Sequence, residues 1–163
     1  MSEYTFSAVK MEELDQAMVL YDSGRNREFC PWTEDYPTRE DIQRDIGQGD
    51  LFCFRDEAGR LIACIAKDRD EVTAQLPFWS KEYEPAAELS RLVVADGYEG
   101  RGIARDLIRA MMEELKRQGY AGVHYLVVEA NVPAMRSYRV LNFTKVGEAD
   151  EFGSHFLCYE HKL

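Results

Sequence analysis

The sequence lacks the surplus of basic residues that a broad nucleic-acid-binding face requires. Its 163 residues include 20 lysines and arginines against 30 aspartates and glutamates, a formal net charge of -10. This balance argues against a nucleic-acid partner, and it suits either a cationic or amine-bearing partner or solubility alone. No apolar run approaches the ~18 residues of a membrane span, and the first residues lack the layout of a signal peptide. We therefore expect a cytoplasmic protein with no membrane partner.

Cysteine and histidine are too few and too scattered to indicate a metal site. The four cysteines contain no CxxC pair, and none of the three histidines stands at ligand spacing from them, so we expect no metal. Cys53, Cys64 and Cys158 lie in apolar runs, where a thiol usually behaves as a small buried hydrophobe. Cys30 lies in an aromatic loop and is the cysteine that we expect to face a ligand.

Two common phosphate-binding motifs are also absent. There is no GxxxxGK[ST], which excludes a P-loop. The stretch "GYEGRGIARDL" has Arg105 where the dinucleotide fingerprint GxGxxG requires its third glycine. That fingerprint also normally follows a first strand, whereas this stretch lies past the middle of the chain. The stretch "GYEGRGIARDL" is therefore either a different kind of anion-binding site or an ordinary turn.

The pattern of apolar residues predicts an α/β protein with one domain over residues 1–163. This length suffices for one sizeable core but not comfortably for two. Residue spacing predicts the order strand, two helices, three strands, helix, strand, helix and two strands. In the clearest helix, apolar residues recur every four positions from Ile103 to Leu115. Such an order makes a sheet of mixed direction with helices on its faces.

The turn between the predicted strand "LSRLVV" and this helix carries more glycine than a turn needs. A helix N-terminus exposes unpaired backbone N–H groups and partial positive charge, so it can hold an anion. Gly100 and Gly102 would let a ligand approach the backbone, and Ala104 keeps the first helical turn small. Arg101 and Arg105 add positive charge beside them. A diphosphate fits this arrangement, although a glycine-rich turn before a helix is often only a turn.

A second motif decides between these interpretations. The stretch "LVVADGYEGRGIA" is followed further along the chain by "NVPAMRSYRVLNF". Together they resemble the paired signatures of the GNAT family of N-acetyltransferases, [QR]xxGx[GA] and NxxAxxxYxxxGF. Asn142 replaces a glycine of the second signature, a mild change because Asn tolerates left-handed backbone angles. Glu99 replaces the Gln or Arg of the first, and its carboxylate would repel a diphosphate unless it turned to solvent.

The resemblance implies a mixed, mostly antiparallel central sheet flanked by helices on both faces. It also implies transfer of an acetyl group from acetyl-CoA to a primary amine of a small molecule or peptide. The cofactor-binding residues that it implies are Leu92, Val93, Val94, Gly100, Arg101, Gly102, Ile103, Ala104, Arg105, Asn131 and Ala134. The first three would offer main-chain groups to the pantetheine arm. Asn131 would contact the same region, cap its helix, or do both.

Two catalytic residues follow from the same resemblance. Tyr138 matches the family tyrosine that protonates the departing thiolate. Glu88 has the placement of the glutamate that takes the proton of the amine in histone-type members, and burial can raise the pKa of such a carboxyl group. Each residue also has a plainer interpretation. Tyr138 would serve only to bury apolar surface in the core. Glu88 would be an exposed residue at the end of a strand, and water would act as the base.

The sequence says least about the part of the site that binds the acceptor amine. We expect the acceptor pocket to be lined by Phe29, Trp32, Tyr36 and Trp79. These side chains could equally pack over the sheet and only hold the loops in place. Two alternatives to a small-molecule enzyme remain. One is a non-catalytic CoA-binding or scaffold module, which Glu99 suggests, and the other is a protein acetyltransferase. Such folds often dimerise through late strands, so a homodimer is a further expectation that the sequence does not decide.

Overall fold

The computed structural model describes residues 3–28 and 30–163, and these form a seven-stranded sheet with helices on both faces. The strands are β1 (Thr5–Ala8), β2 (Leu51–Arg55), β3 (Leu61–Asp68), β4 (Ala86–Val94), β5 (Gly122–Val128), β6 (Thr144–Glu151) and β7 (Ser154–Lys162). The helices are α1 (Leu14–Gly24), α2 (Arg39–Gly47), α3 (Glu71–Ala74), α4 (Ile103–Arg117) and α5 (Val132–Val140), with 3₁₀ turns at Met11–Glu13 and Lys81–Tyr83. The predicted order of strands and long helices is confirmed.

The strands lie in the order β1-β2-β3-β4-β5-β7-β6. Every neighbouring pair is antiparallel except β4 and β5, which the chain connects by crossing over through α4. The mostly antiparallel sheet implied by the family resemblance is therefore confirmed. Its only parallel pair among the described strands lies at the centre, where the two signature motifs meet.

Helix α4 covers one face of the sheet with a continuous apolar stripe. Leu107, Ile108, Met111 and Leu115 are all 0% exposed. Burying a side chain of this size contributes about 1.5 to 3 kcal/mol, so this stripe is a main source of the stability of the fold. The stripe packs on β2, β3 and β4, which places the start of α4 beside the end of β4.

Helices α1 and α2 cover the opposite face. Helix α2 begins with a capping box, in which the Thr38 hydroxyl accepts from the Asp41 N–H at 3.1 Å and the Asp41 carboxylate accepts from the Thr38 N–H at 2.8 Å. Tyr21 of α1 is fully buried, and its hydroxyl donates to the Arg91 carbonyl at 2.6 Å. Helix α1 is thereby tied to β4, the strand that carries the candidate site.

The cysteines lie where the sequence predicts them. Cys53, Cys64 and Cys158 are buried in strands, and Cys30 is partly exposed. Within residues 3–28 and 30–163, no helix combines the length and apolar character that a membrane crossing requires.

Candidate active site

Strands β4 and β5 part halfway along their length, and the gap between them opens the candidate site. Their pairing runs from Ala86 opposite Gly122 to Leu89 opposite Tyr125 and ends there in the described part of the chain. On its other edge β4 stays paired with β3 as far as Val94. The second half of β4 therefore has one edge of backbone N–H and C=O groups that β5 does not pair with, and of these the Val94 carbonyl accepts from Arg27.

A β-bulge bends β4 where the strands part. Ser90 pairs with Ala66 and Val93 pairs with Cys64, so β4 has one residue more than β3 between these pairs. Arg91, in the bulge, has a φ of +49°. A non-glycine residue rarely adopts this conformation, which costs of order 1 to 3 kcal/mol unless its surroundings hold it in place.

The side chain of Arg91 provides that support. Its Nε and Nη2 donate to the Asp45 carboxylate at 2.7 and 3.0 Å. Its Nη1 donates at 2.8 Å both to Asp68 and to the Tyr36 hydroxyl. Arg91 and Asp45 are both almost fully buried, and removing one partner of such a pair typically costs about 3 to 5 kcal/mol. The bulge is thus a rigid feature of the cleft wall.

Two cavities meet in the gap between β4 and β5. One of about 340 Å³ lies at the start of α4, and one of about 760 Å³ extends towards the loop before α2 and the β6–β7 hairpin. Leu92, Val93 and Asn131 belong to the walls of both cavities. The two therefore share part of their walls and form one continuous cleft.

The start of α4 presents backbone donors to the smaller cavity. Gly102 precedes the helix with a φ of +77° and provides no side-chain cap. The N–H of Asp106 is bonded to the Gly102 carbonyl at 3.1 Å, which leaves the earlier N–H groups of the turn available. The Nε of Arg105, in the cavity wall, is buried without a hydrogen-bond partner among the described residues. Unpaired donors at the positive end of a helix fit an anion such as a diphosphate.

Glu99, the acidic departure from the family signature, is paired with a basic side chain in the structure. One carboxylate oxygen accepts from the Gly97 N–H at 2.9 Å, and the other lies 3.0 Å from the Nε of Arg27. Arg27 also donates to the Val94 carbonyl at 2.6 Å and to Asp96 at 2.9 Å. The guanidinium group therefore offsets part of the charge of Glu99 beside the turn, while the Glu99 side chain stays 47% exposed.

Nearly all the cofactor-binding residues predicted from the sequence come together around the smaller cavity. They are Leu92, Val93, Val94, Gly100, Gly102, Ile103, Ala104, Arg105, Asn131 and Ala134. Arg101 lies outside this wall, with its guanidinium 5.0 Å from the ring centroid of Tyr98. The side chain of Asn131 caps α5 by accepting from the Ala134 N–H at 3.2 Å. Contact of these residues with a cofactor stays a prediction.

Tyr138 borders the smaller cavity from α5. It is 1% exposed, and its ring centroid lies 4.6 Å from that of Tyr125 and 5.3 Å from that of Phe143. Its hydroxyl makes no hydrogen bond of ordinary geometry with the described residues. Burial, and then the neighbouring Tyr125, raise the pKa of Tyr138 well above its usual value. The phenol therefore remains protonated and has a proton to donate.

Glu88 lies in the wall of the larger cavity and is 8% exposed. Its interpretation as an exposed strand end is wrong. Its Oε1 is buried without a hydrogen-bond partner in the described part of the chain. Burial, and then the charges of Asp68 and Asp70, raise the pKa of Glu88 to about 9, against the opposing effect of Arg91. The carboxyl group is therefore mostly protonated near neutral pH.

The predicted acceptor residues do not all lie together. Trp32 and Tyr36 line the larger cavity, and Cys30 lies there as well. Phe29 lies outside the described residues. Trp79 does not line this cavity. It stacks on His124, with ring centroids 4.3 Å apart, and donates its indole N–H to a main-chain carbonyl of α3. The structure therefore places Trp79 as a cover over β5 and corrects its assignment to the pocket wall.

Sequence reasoning missed three polar residues in the cleft wall, Arg27, Asp68 and Arg91, and a fourth that stacks on Trp79, His124. Two of them carried a signal. Arg91 interrupts the apolar strand "LSRLVV", and His124 interrupts the apolar strand "GVHYLVV". A polar residue inside a buried strand requires a partner or a function. Nothing in the sequence marks Arg27 or Asp68, because their partners lie far away along the chain.

The comparisons with known proteins agree with this geometry. A model of the acetyltransferase (GNAT) family matches residues 19–143, whereas no curated protein sequence matches. A GNAT-family acetyltransferase from Streptococcus agalactiae superposes with a TM-score of 0.83 at 22% identity, covering 98% of this chain and 95% of that one. A ribosomal-protein-alanine N-acetyltransferase from Brucella melitensis gives 0.73 at 19% identity, with 98% and 99% covered. A phosphinothricin acetyltransferase from Sinorhizobium meliloti, in complex with AcCoA, gives 0.76 at 16% identity, with 99% and 89% covered.

The matched residues include the parted strands, the start of α4 and Tyr138. Most of the chain thus follows the family model, and the solved structures share its fold throughout. The chain belongs to the GNAT family of acetyltransferases.

Proposed function

We propose that the protein is an acetyl-CoA-dependent N-acetyltransferase that acts on a primary amine of a small molecule or peptide by direct attack. The observation that carries this proposal is the continuous cleft between β4 and β5. Backbone donors lie at one end of it and the buried carboxyl group of Glu88 at the other. Two reactants that enter from the two ends can meet where the strands part.

The residues of the smaller cavity fit the cofactor. Acetyl-CoA would supply the acetyl group, activated as a thioester. The open edge of β4 from Leu92 to Val94 can pair with amide groups of a pantetheine arm, as one strand pairs with another. The N–H groups at the start of α4 and the unpaired Nε of Arg105 can bind the diphosphate.

Glu88 and Tyr138 divide the proton transfers between them. An ammonium group cannot attack, so a base must take its proton, and the ionised form of Glu88, which lines the acceptor side of the cleft, can do so. Tyr138 remains protonated in the cofactor side of the cleft and can donate to a departing thiolate. General acids and bases of this kind each contribute about 10²- to 10⁴-fold in rate.

The charges of the larger cavity favour a cationic acceptor. Three arginines line it, and each is paired with an acidic side chain: Arg27, Arg44 and Arg91. Glu28 and Asp70 line it without a basic partner within the described residues. The cavity therefore presents uncompensated carboxyl groups, which attract an ammonium group.

A peptide N-terminus is a second candidate for the acceptor. The larger cavity is open between the loop before α2 and the β6–β7 hairpin, which leaves room for an extended chain. The shared fold with a ribosomal-protein-alanine N-acetyltransferase supports this candidate. The charge of Glu99, which is the ground for a non-catalytic CoA-binding module, is offset in part by Arg27 beside the turn.

Release of free thiol from acetyl-CoA tests the proposal. The purified protein is incubated with polyamines, amino acids, aminoglycosides and short peptides, and thiol is followed by absorbance. We expect turnover with at least one class of amine, a loss of about 10²-fold or more in Glu88→Gln, and no loss in Glu113→Gln, an exposed control on α4. Cofactor binding by calorimetry without turnover on any amine would support the non-catalytic module instead. Absence of both binding and turnover would end the proposal.

A further inference from the structure

Three tyrosines pack together beside the point where β4 and β5 part. Tyr125 on β5 and Tyr159 on β7 are register partners, and Tyr138 reaches them from α5. The ring centroid of Tyr138 lies 4.6 Å from that of Tyr125 and 5.9 Å from that of Tyr159. A buried tyrosine hydroxyl usually needs a hydrogen-bond partner, whereas phenylalanine would supply a similar apolar area without one. The hydroxyl groups of this cluster therefore suggest a function beyond packing.

The three tyrosines differ in their access to the cleft. Tyr125 is partly exposed and lines the larger cavity, whereas Tyr138 is 1% exposed and lines the smaller one. Tyr159 belongs to the wall of neither cavity. Tyr125 is also the partner of Leu89 in the last pair of β4 and β5 that the described part of the chain shows. The ring contact of Tyr125 with Tyr138 thus links the wall of one cavity to the wall of the other.

Both phenols of this contact keep their protons near neutral pH. Burial raises the pKa of Tyr125 to about 12, while the hydroxyl of Tyr138 acts in the opposite direction. Burial, and then Tyr125, raise the pKa of Tyr138 well above its usual value. The Tyr138 hydroxyl is buried without a hydrogen-bond partner of ordinary geometry among the described residues, so it is free to accept a proton as well as to donate one.

Tyr138 is a poor proton donor when it acts alone. An alkyl thiol such as that of cysteine has a pKa of about 8.5, and the pKa of Tyr138 lies well above the usual phenol value of about 10. Donation to a thiolate would therefore run uphill and leave a buried phenolate. This cost is avoided if Tyr138 receives a second proton as it gives up its own. The supplier must contact Tyr138 and line the acceptor side of the cleft, as Tyr125 does.

We propose that Tyr125 is a further catalytic residue, which takes a proton from the attacking nitrogen and passes its own proton to Tyr138. The two phenols then form a relay from the acceptor side of the cleft to the cofactor side. This inference rests on the proposed function and adds one step to the proton donation by Tyr138.

The bonds and protons of this step balance. Attack of the neutral amine on the thioester carbon forms a C–N bond and leaves a positive charge on nitrogen. When the C–S bond breaks, its electron pair leaves with sulfur as a thiolate. One proton moves from nitrogen to the Tyr125 oxygen, one from Tyr125 to Tyr138, and one from Tyr138 to sulfur. The charges on nitrogen and sulfur cancel, both tyrosines end as they began, and the products are an amide and free CoA thiol.

The relay and Glu88 handle different protons of the same nitrogen. An ammonium group loses its first proton before the attack, and the ionised form of Glu88 can take it. The second proton becomes acidic only after the attack, when nitrogen carries a positive charge again. Glu88 and Tyr125 both line the larger cavity, so each can meet the nitrogen there.

A crystal structure of the wild type with CoA tests the relay by geometry, without any acceptor amine. We expect the hydroxyl oxygens of Tyr125 and Tyr138 to lie within about 3.2 Å of each other or to share one bridging water. Hydroxyl groups that lie farther apart with no water between them overturn the relay. A protein that binds no CoA would contradict the proposed function, and the relay with it.

Single-turnover kinetics with acetyl-CoA and the panel amine that releases thiol fastest test the relay in action. Tyr125→Phe keeps the ring and removes only the hydroxyl, and we expect it to slow the reaction about 10²-fold with the affinity for acetyl-CoA unchanged. Tyr159→Phe is the matched control, because it removes a hydroxyl from the other tyrosine that contacts Tyr138. We expect this control to react at the wild-type rate. An equal loss in both variants would contradict the relay, since it would show an effect of packing.

The double variant Tyr125→Phe with Tyr138→Phe separates a relay from two independent roles. Residues that carry one proton in series lose their effect together, so we expect the double variant to be no slower than Tyr138→Phe alone. Independent effects would multiply to about 10⁴-fold and would contradict the relay. A wild-type rate in Tyr125→Phe would overturn the relay and leave the proposed function standing. Absence of turnover in the wild type with any amine would contradict the proposed function itself.

Discussion

Replacing Glu88 by glutamine changes how the stability of the protein depends on pH. The pKa of Glu88 is about 9 in the folded protein, raised by burial and then by Asp68 and Asp70, against an ordinary value of 4.5. Between these values the folded chain keeps a proton that the unfolded chain releases. The stabilisation is therefore complete below about 4.5 and is lost as the pH rises towards 9. Glutamine has nearly the same shape and no proton to release.

The slope follows from the proton count. One proton released on unfolding lowers the free energy of unfolding by about 1.4 kcal/mol per pH unit. From pH 6 to pH 8 the wild type should therefore lose about 3 kcal/mol relative to Glu88→Gln. This is a large part of the 5 to 15 kcal/mol that holds a typical domain folded, so ordinary denaturation detects it.

Urea denaturation followed by tryptophan fluorescence at pH 6, 7 and 8 measures the effect. The two proteins are compared with Glu113→Gln, whose exposed carboxyl group should give the wild-type slope. A difference between wild type and Glu88→Gln that stays constant from pH 6 to pH 8 would refute the reasoning. It would mean that Glu88 is already ionised in the folded protein.

Three further changes test the cofactor side of the cleft. Tyr138→Phe should lower kcat about 10²-fold with KM for acetyl-CoA unchanged, as measured by thiol release, and full activity would remove Tyr138 from the chemistry. Gly102→Ala should weaken CoA binding in calorimetry, because a Cβ there lies 2.9 Å from a guanidinium nitrogen. Gly59→Ala, at a similar φ in open space, should lose only stability, and equal affinities in the two would contradict the account. Arg27→Ala should raise KM for acetyl-CoA about fivefold, because the charge of Glu99 loses its partner. Adding Glu99→Gln to this variant should restore the wild-type KM. If KM stays high in the double variant, Arg27 does not act through Glu99.

The features that the sequence predicted are local ones. A four-residue apolar repeat fixes which face of α4 is buried, and the two signature motifs lie at the start of α4 and of α5. Tyr138 belongs to the second motif and lies two helical turns after Asn131 on α5. The cofactor side could therefore be outlined from the sequence alone.

The acceptor side depends on contacts between distant segments. Arg91 can hold its bulge only because Asp45 approaches it from α2, and the charge of Glu99 is offset in part because Arg27 approaches from the loop before α2. Trp79 belongs to an irregular stretch whose aromatic residues could pack on either side of β5. No local spacing indicates such partners, which is why the aromatic wall was only partly predicted.

A crystal structure of the protein grown with CoA tests the central claim most directly. We predict the pantetheine arm between β4 and β5 along Leu92 to Val94. We predict the diphosphate within hydrogen-bonding distance of the N–H groups at the start of α4. A diphosphate bound elsewhere, or a cleft that excludes CoA, would contradict the account.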